Sequence, residues 1–163
     1  MERPNKDVYA LDGLDVELLR LLQHDGRMPY SHLAKELGVS ESTVYSRVNS
    51  MMRRGIIVGF TAVVDAEKVG LDLSAFILIQ ADPKRAESVL FKLKEMDEVV
   101  ELYDVTGEHY ALAKVNVRNR ADLSLLLDKI GMLNGVNGTQ TLLVLRKHKE
   151  LRSVNVKDSS HLI

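Results

Sequence analysis

The chain has no cysteine, which removes disulfide frameworks and thiolate metal sites together and suits a reducing cytoplasm. Its five histidines (His24, His32, His109, His148 and His161) are widely separated, with none of the close spacings that set two metal ligands on one helix or turn. No metal and no cofactor is expected. No apolar run approaches the roughly 18 to 20 residues that span a bilayer, and the opening Met1 to Asp7 is polar and carries both signs. A soluble, unsecreted, cytoplasmic protein is the expectation. No nucleophile with a companion base, no Gly-rich phosphate loop and no carboxylate pair at helical spacing stands out, so catalysis has no positive support. Nor is there an excess of charge of one sign: 22 Lys and Arg against 23 Asp and Glu give a formal net charge of -1. A nucleic-acid partner would have to be met by a local surface rather than by the bulk field.

What the chain does have is a globular composition, 45% hydrophobic and 28% charged over 163 residues, enough for one ordinary domain or two small ones. Its periodicity changes part-way along. Asp12 can cap a helix whose Leu14, Leu18, Leu21 and Leu22 form one apolar stripe. His24-Asp25-Gly26-Arg27 breaks the pattern, and Ser31 can cap a short helix with Leu33, Ala34 and Leu37 that stops at Gly38. Ser40 can cap a third helix, about Glu41 to Arg54, that buries Val44, Val48, Met51 and Met52. A short helix, a glycine turn and a longer helix make a helix-turn-helix.

The other face of the third helix is the informative one. At 100° per residue Ser42, Ser46, Asn49, Ser50 and Arg53 lie opposite the stripe, with Thr43, Tyr45, Arg47 and Arg54 along its flanks. No acidic residue occurs from Ser42 through Val64. Small hydroxyls allow close entry into a major groove, Asn and Arg can read base edges, and flanking arginines can meet phosphate. The DNA-binding candidates are therefore Ser42, Thr43, Tyr45, Ser46, Arg47, Asn49, Arg53 and Arg54. After Gly55 the β-branched run Ile56 to Val64, interrupted by Gly59, predicts two short paired strands, a wing bracing that helix.

Residues 65–72, polar and holding Gly70, read as a linker. Beyond them Leu73 to Ala81 is a strand apolar on both faces, ended by Pro83. A helix with Ala86, Val89, Leu90 and Leu93 follows, then a strand Val99 to Thr106. After Gly107-Glu108-His109 the order recurs: strand Tyr110 to Val117, helix with Leu123, Leu126, Leu127 and Ile130, strand Gly138 to Leu145. Two βαβ units in tandem predict a ferredoxin-like βαββαβ sandwich whose helices cover one sheet face. Phe76, Leu78, Leu142 and Val144 leave the other face apolar, which predicts a sheet-to-sheet dimer. The fold class is thus α+β: a winged helix-turn-helix over 1–64, a linker over 65–72, a ferredoxin-like domain over 73–147 and a charged tail over 148–163. Leu151, Val154 and Val156 give that tail something to pack with, on a neighbouring subunit or not at all.

Over Leu11 to about Lys147 these residues resemble the leucine-responsive regulatory protein/AsnC family, the feast/famine regulators. The resemblance rests on motifs in order: Leu11-Asp12-Gly13-Leu14-Asp15, Gly26-Arg27 with Ser31-His32-Leu33-Ala34, Leu37 to Val44 with Arg47-Val48, Arg54 to Ile57 with Gly59 to Ala62, and Val105-Thr106-Gly107. It implies homodimers, often gathered into octamers, that bind double-stranded promoter DNA and respond to an amino-acid effector. By motif position the effector would meet Asp104, Gly107, Glu108, His109 and Tyr110, with Thr139, Gln140 and Thr141 on the last strand. Tyr110 stands where the family usually has Asp, so Glu108 or Asp104 would have to answer a ligand ammonium. Two alternatives stay open at this point. Sirohaem decarboxylases resemble the same two-domain plan and carry a basic pair like Arg53-Arg54, and an assembly module would leave the polar face of the third helix merely solvated.

Overall fold

The computed structural model describes residues 10–150 and 153–157; Met1 to Asp7, Leu151 and His161, named above, lie outside them. Two units divide the chain. One runs to Ala62 and takes back the tail from Glu150, while the other is Val63–Lys149.

The first unit holds helices α1 (Gly13–His24), α2 (Tyr30–Leu37) and α3 (Glu41–Arg53). Asp12 caps α1 by accepting from the Asp15 N–H at 2.9 Å, the orphan-donor role its place in the sequence predicts. Helix α2 starts two residues earlier than expected: Pro29 is its N-cap, without a side-chain hydrogen bond, so Ser31 is inside the helix rather than capping it. Gly38 ends α2 at φ 65°, and Val39 N–H returns to the Ala34 carbonyl at 3.0 Å. Only a residue at ease in left-handed backbone lets Ser40 follow at once as the cap of α3. Leu18, Leu22, Leu33, Val44, Val48 and Met51 form the core, with Ile57 joining them. Met52 does not: it is 43% exposed, because it sits one 100° step past Met51 on the helix and turns off the stripe.

The expected wing is absent. Ile56 and Ile57 fold back to the Met51 carbonyl at 2.9 and 3.2 Å, closing the end of α3, and residues 58–64 form no strand. A lone two-stranded hairpin is marginal in water, and here Val58 and Val63 are 96% and 72% exposed, so nothing is buried to offset the ordering. The tail joins this unit. Val154 N–H donates to Gln23 Oε1 at 2.7 Å, and Val156 packs against the helical core.

The second unit begins with a single 3-10 turn, Glu67–Val69, within the segment expected as linker. It continues as β1 (Leu73–Ala81), α4 (Ala86–Lys94), β2 (Val99–Asp104), β3 (Ala111–Val117), α5 (Arg120–Gly131) and β4 (Val136–Leu143). The sheet order is β2-β3-β1-β4 with every pair antiparallel. This is the split βαβ arrangement that tandem units predict: each helix carries the chain over a strand slotted between its own two. Ala75, Ile77 and Ile79 of β1 and Ala113 and Val115 of β3 are fully buried with Val89, Leu93, Leu126 and Ile130 of the helices. The opposite face carries Phe76, Leu78, Leu112 and Leu142, set side by side by the register Phe76 to Leu142 and Leu78 to Leu112. No helix among the described residues is long and apolar enough to cross a membrane.

Candidate nucleic-acid interface and ligand hollow

The amino end of α3 is organised by serine and threonine. Ser40 Oγ accepts from the Thr43 N–H at 3.1 Å and hydrogen-bonds the Ser42 and Thr43 hydroxyls at 2.8 and 2.7 Å. Thr43 is thereby committed to the cap. Ser42, Ser46 and Arg53 are exposed and Asn49 and Ser50 half-buried, so the face opposite the apolar stripe is presented as the spacing predicts. Tyr45 is 60% exposed but rests edge-on against Tyr30 of α2, ring centroids 6.2 Å apart. Arg54 sits at the C-cap, its Nη2 3.5 Å from the Ala10 carbonyl.

Arg47, expected as a DNA contact, is paired within its own unit. Its Nη1 donates to Asp12 Oδ2 at 2.6 Å and to Asp15 Oδ1 at 3.2 Å. Asp12 therefore spends one oxygen on capping α1 and the other on holding α3, and Asp15 is 4% exposed. The Asp15 N–H, with the Arg47 hydrogen bond and charge added, draws the Asp12 carboxyl below the usual carboxylate range against the opposing effect of burial. The same hydrogen bond to Asp12 raises Arg47. The sequence shows an acid at a helix cap, another in its first turn and an arginine on a third helix, but nothing in one-dimensional spacing says that α1 and α3 bring them together.

In the second unit the β2–β3 loop closes on itself: Val105 N–H donates to the Tyr110 carbonyl at 3.2 Å, and Tyr110 N–H reaches the Ile79 carbonyl at 2.9 Å. Gly107 takes φ 111°, which a side chain would strain. Between this loop and the ends of β1 and β4 lies an open hollow of about 360 Å³ lined by Gly107, Glu108, His109 and Tyr110 together with Val105, Gln80, Ala81, Pro83 and Asn137. The other four expected effector residues are not among its lining. Asp104 is exposed on the last rung of β2, opposite Ala111. Thr139 and Thr141 pair with Ile79 and Ile77, on the helix side of the sheet, whereas Gln140 pairs with Leu78 on the open side. Strand alternation thus puts the Gln140 side chain on the face opposite to those of Thr139 and Thr141. Nothing in the sequence marks Gln80, Ala81 or Asn137 as lining; the register shift between Gln80 and Ala81 leaves no compositional trace. Among the described residues no cluster of His, Asp or Glu could hold a metal ion.

Comparison with known proteins now bears on these two places. The model of the AsnC-type helix-turn-helix domain matches residues 11–52, and that of the Lrp/AsnC ligand binding domain matches residues 74–154. The HTH-type transcriptional regulator FL11 of Pyrococcus furiosus is 37% identical over 147 residues, covering 90% of this chain and 97% of that protein. The chain belongs to the Lrp/AsnC family. Escherichia coli AsnC has the same fold over 91% of this chain and 100% of its own, with TM-score 0.85 and 35% identity. A feast or famine regulatory protein of Mycobacterium tuberculosis, solved in complex with L-methionine, matches with TM-score 0.84 and 34% identity over 90% of this chain and 100% of that one. This Lrp/AsnC protein is accordingly a transcriptional regulator with a helix-turn-helix DNA-binding domain, and the decarboxylase alternative falls away, since the family is one of regulators and not of enzymes.

The Asp12 geometry generates a pH dependence. A carboxyl whose folded pKa is lowered lends stability that is complete above its unfolded pKa and is lost as pH falls through the folded value. Asp12→Asn keeps a capping oxygen but removes the charge. Thermal unfolding followed from about pH 5 downward should therefore show a shallower fall in Tm for Asp12→Asn than for the parent chain; parallel curves would remove Asp12 from the acid response.

Proposed function

We infer that this regulator is a cytoplasmic homo-oligomer that reads promoter DNA in the major groove with Ser42, Ser46 and Asn49. Arg53 and Arg54 at the far end of α3 meet phosphate, Thr43 and Tyr45 shape the rim, and an amino acid occupies the hollow at Gly107 to Tyr110. The observation that carries the DNA assignment is the exposed, acid-free face of a capped recognition helix. Residues at the amino end of such a helix are those that reach bases, and serine hydroxyls there leave room for the close approach.

Assembly as a dimer is supported by the uncovered side of the sheet. Leu142 is 48% exposed beside half-buried Phe76 and Leu78, and an isologous contact with a second copy would remove all of them from water. Lys114 and Glu101, 3.3 Å apart on that side, supply both signs to a surface that must complement itself. Octamers are the further assembly that the family resemblance implies.

For the effector, the M. tuberculosis relative's complex with L-methionine makes methionine the first probe. Glu108 is the one carboxylate lining the hollow, and Gln80 and Asn137 bring amides to it. Glu108 is the partner this reading assigns to the ligand ammonium, in the role that Tyr110 cannot fill.

Three outcomes check these parts. Asn49→Ala should lower affinity for genomic fragments selected by the parent protein by about 1 to 3 kcal/mol while leaving binding to random duplex unchanged, as expected for a lost bidentate base contact; an unaltered preference in a Ser46→Ala/Asn49→Ala protein would remove the face from the groove. Sedimentation at micromolar concentration should give at least a dimer, and a monomer would refute the sheet contact. Calorimetry should register L-methionine binding that Glu108→Gln weakens and Gln140→Ala does not; no heat at millimolar ligand, or equal binding to the Glu108→Gln protein, would displace the site.

A further inference from the structure

The geometry points to Arg47 as a positioning residue for DNA reading: through Asp12 and Asp15 it holds α3 at one tilt against α1, and it does not serve as a phosphate contact. The inference rests on the reading that the exposed face of α3 enters the groove.

Arg47 lies midway along a helix of 13 residues, one position from Ser46 and two from Asn49, yet its guanidinium turns away from them to two carboxylates of α1. The shorter contact, 2.6 Å to Asp12 Oδ2, is to a side chain already fixed by its capping bond. The other partner, Asp15, has a side chain only 5% exposed. Drawing Arg47 out to a phosphate would leave that carboxylate buried without its cation, the costly half of a broken buried pair. It would also leave two negative groups beside an approaching polyanion. The arginine is therefore worth more where it is, and it carries no charge to spare for DNA, since two carboxylates share it.

The consequence is mechanical. At 1.5 Å per residue the helix extends about 9 Å to either side of Arg47, so a tilt of about 10° moves its ends by ~1.5 Å, half the length of a hydrogen bond. Base contacts do not survive that displacement, whereas a mobile Arg53 side chain can still find a phosphate. Loss of the brace should erase discrimination before it erases binding.

The test uses the full chain and two probes, a genomic fragment selected by the parent protein and a random-sequence duplex of equal length, each titrated across a salt series below the unfolding transition. Arg47→Gln is expected to lower affinity for the selected fragment about tenfold, the size of one lost base contact, while affinity for random duplex and the salt slope stay unchanged. Arg47→Lys, which can keep one ion pair, should recover part of the loss. Arg53→Gln should lower both affinities and the slope by about 0.9, the signature of a phosphate contact. Asp12→Asn, which retains the cap, should repeat the selective loss and stands in if Arg47→Gln does not fold. A slope reduced in Arg47→Gln, with equal losses on both probes, would make Arg47 a phosphate contact and overturn the inference. Undiminished binding to both probes would overturn it too. The Asn49→Ala protein, run alongside, separates the two readings: unchanged discrimination there sinks the groove assignment and the brace with it, whereas lost discrimination there with a lowered slope at Arg47 sinks the brace alone.

Discussion

Strand β1 is hydrogen-bonded along both edges and apolar on both faces, and the second unit is built outward from it. Pairing with β3 on one side and β4 on the other puts β1 at the centre of the sheet, where Ala75, Ile77 and Ile79 are fully buried under the helices. A strand so placed must keep one register, because a slip of one residue would send Phe76 and Leu78 into the helix layer and bring Ile77 out. The hollow is a by-product of the same placement. Where the ladder shifts at Gln80 and Ala81 the strand stops pairing regularly, and the β2–β3 loop, tied to the Ile79 carbonyl through Tyr110, is held over the gap. Gly135 leads into β4 at φ 110°, and a Cβ there would stand 2.6 Å from that of Arg85.

Much of this was legible in the sequence, for reasons that can be named. β1 ran over Leu73 to Ala81 as expected because a two-faced apolar run ended by proline has few other uses. Helices α1 and α3 began where Asp12 and Ser40 offered a capping oxygen. What failed had equally definite causes. The β-branched run Ile56 to Val64 carries strand propensity, but propensity without a partner strand or a face to bury does not make a wing. The family resemblance sets Thr139, Gln140 and Thr141 near the effector by motif position, and strand alternation puts the Gln140 side chain on the face opposite to the two threonines. Gln80 and Asn137 reach the hollow through tertiary register alone. The pairing of Arg47 with Asp12 and Asp15 was not legible, because a helical wheel knows the flank a residue occupies and not the neighbour that waits there.

The near-neutral net charge proves compatible with a DNA-binding protein because charge is sorted by element. Glu41 begins α3 and no acid follows it as far as Val64, while two acids that reach that helix are turned to other tasks: Asp12 caps α1 and pairs with Arg47, and Asp15 is buried beside it. A chain can thus hold its overall balance and still offer one face from which negative charge has been withdrawn.

The tail's return to Gln23 and Val156's place against the helical core make the first unit discontinuous in sequence, with the whole second unit inserted between its parts. During translation α1 to α3 leave the ribosome ahead of the second unit and must wait, with the site for Val156 open, until β4 and the residues beyond it have been made. The helices of the DNA-binding unit are thus made before the second unit and sealed only after it.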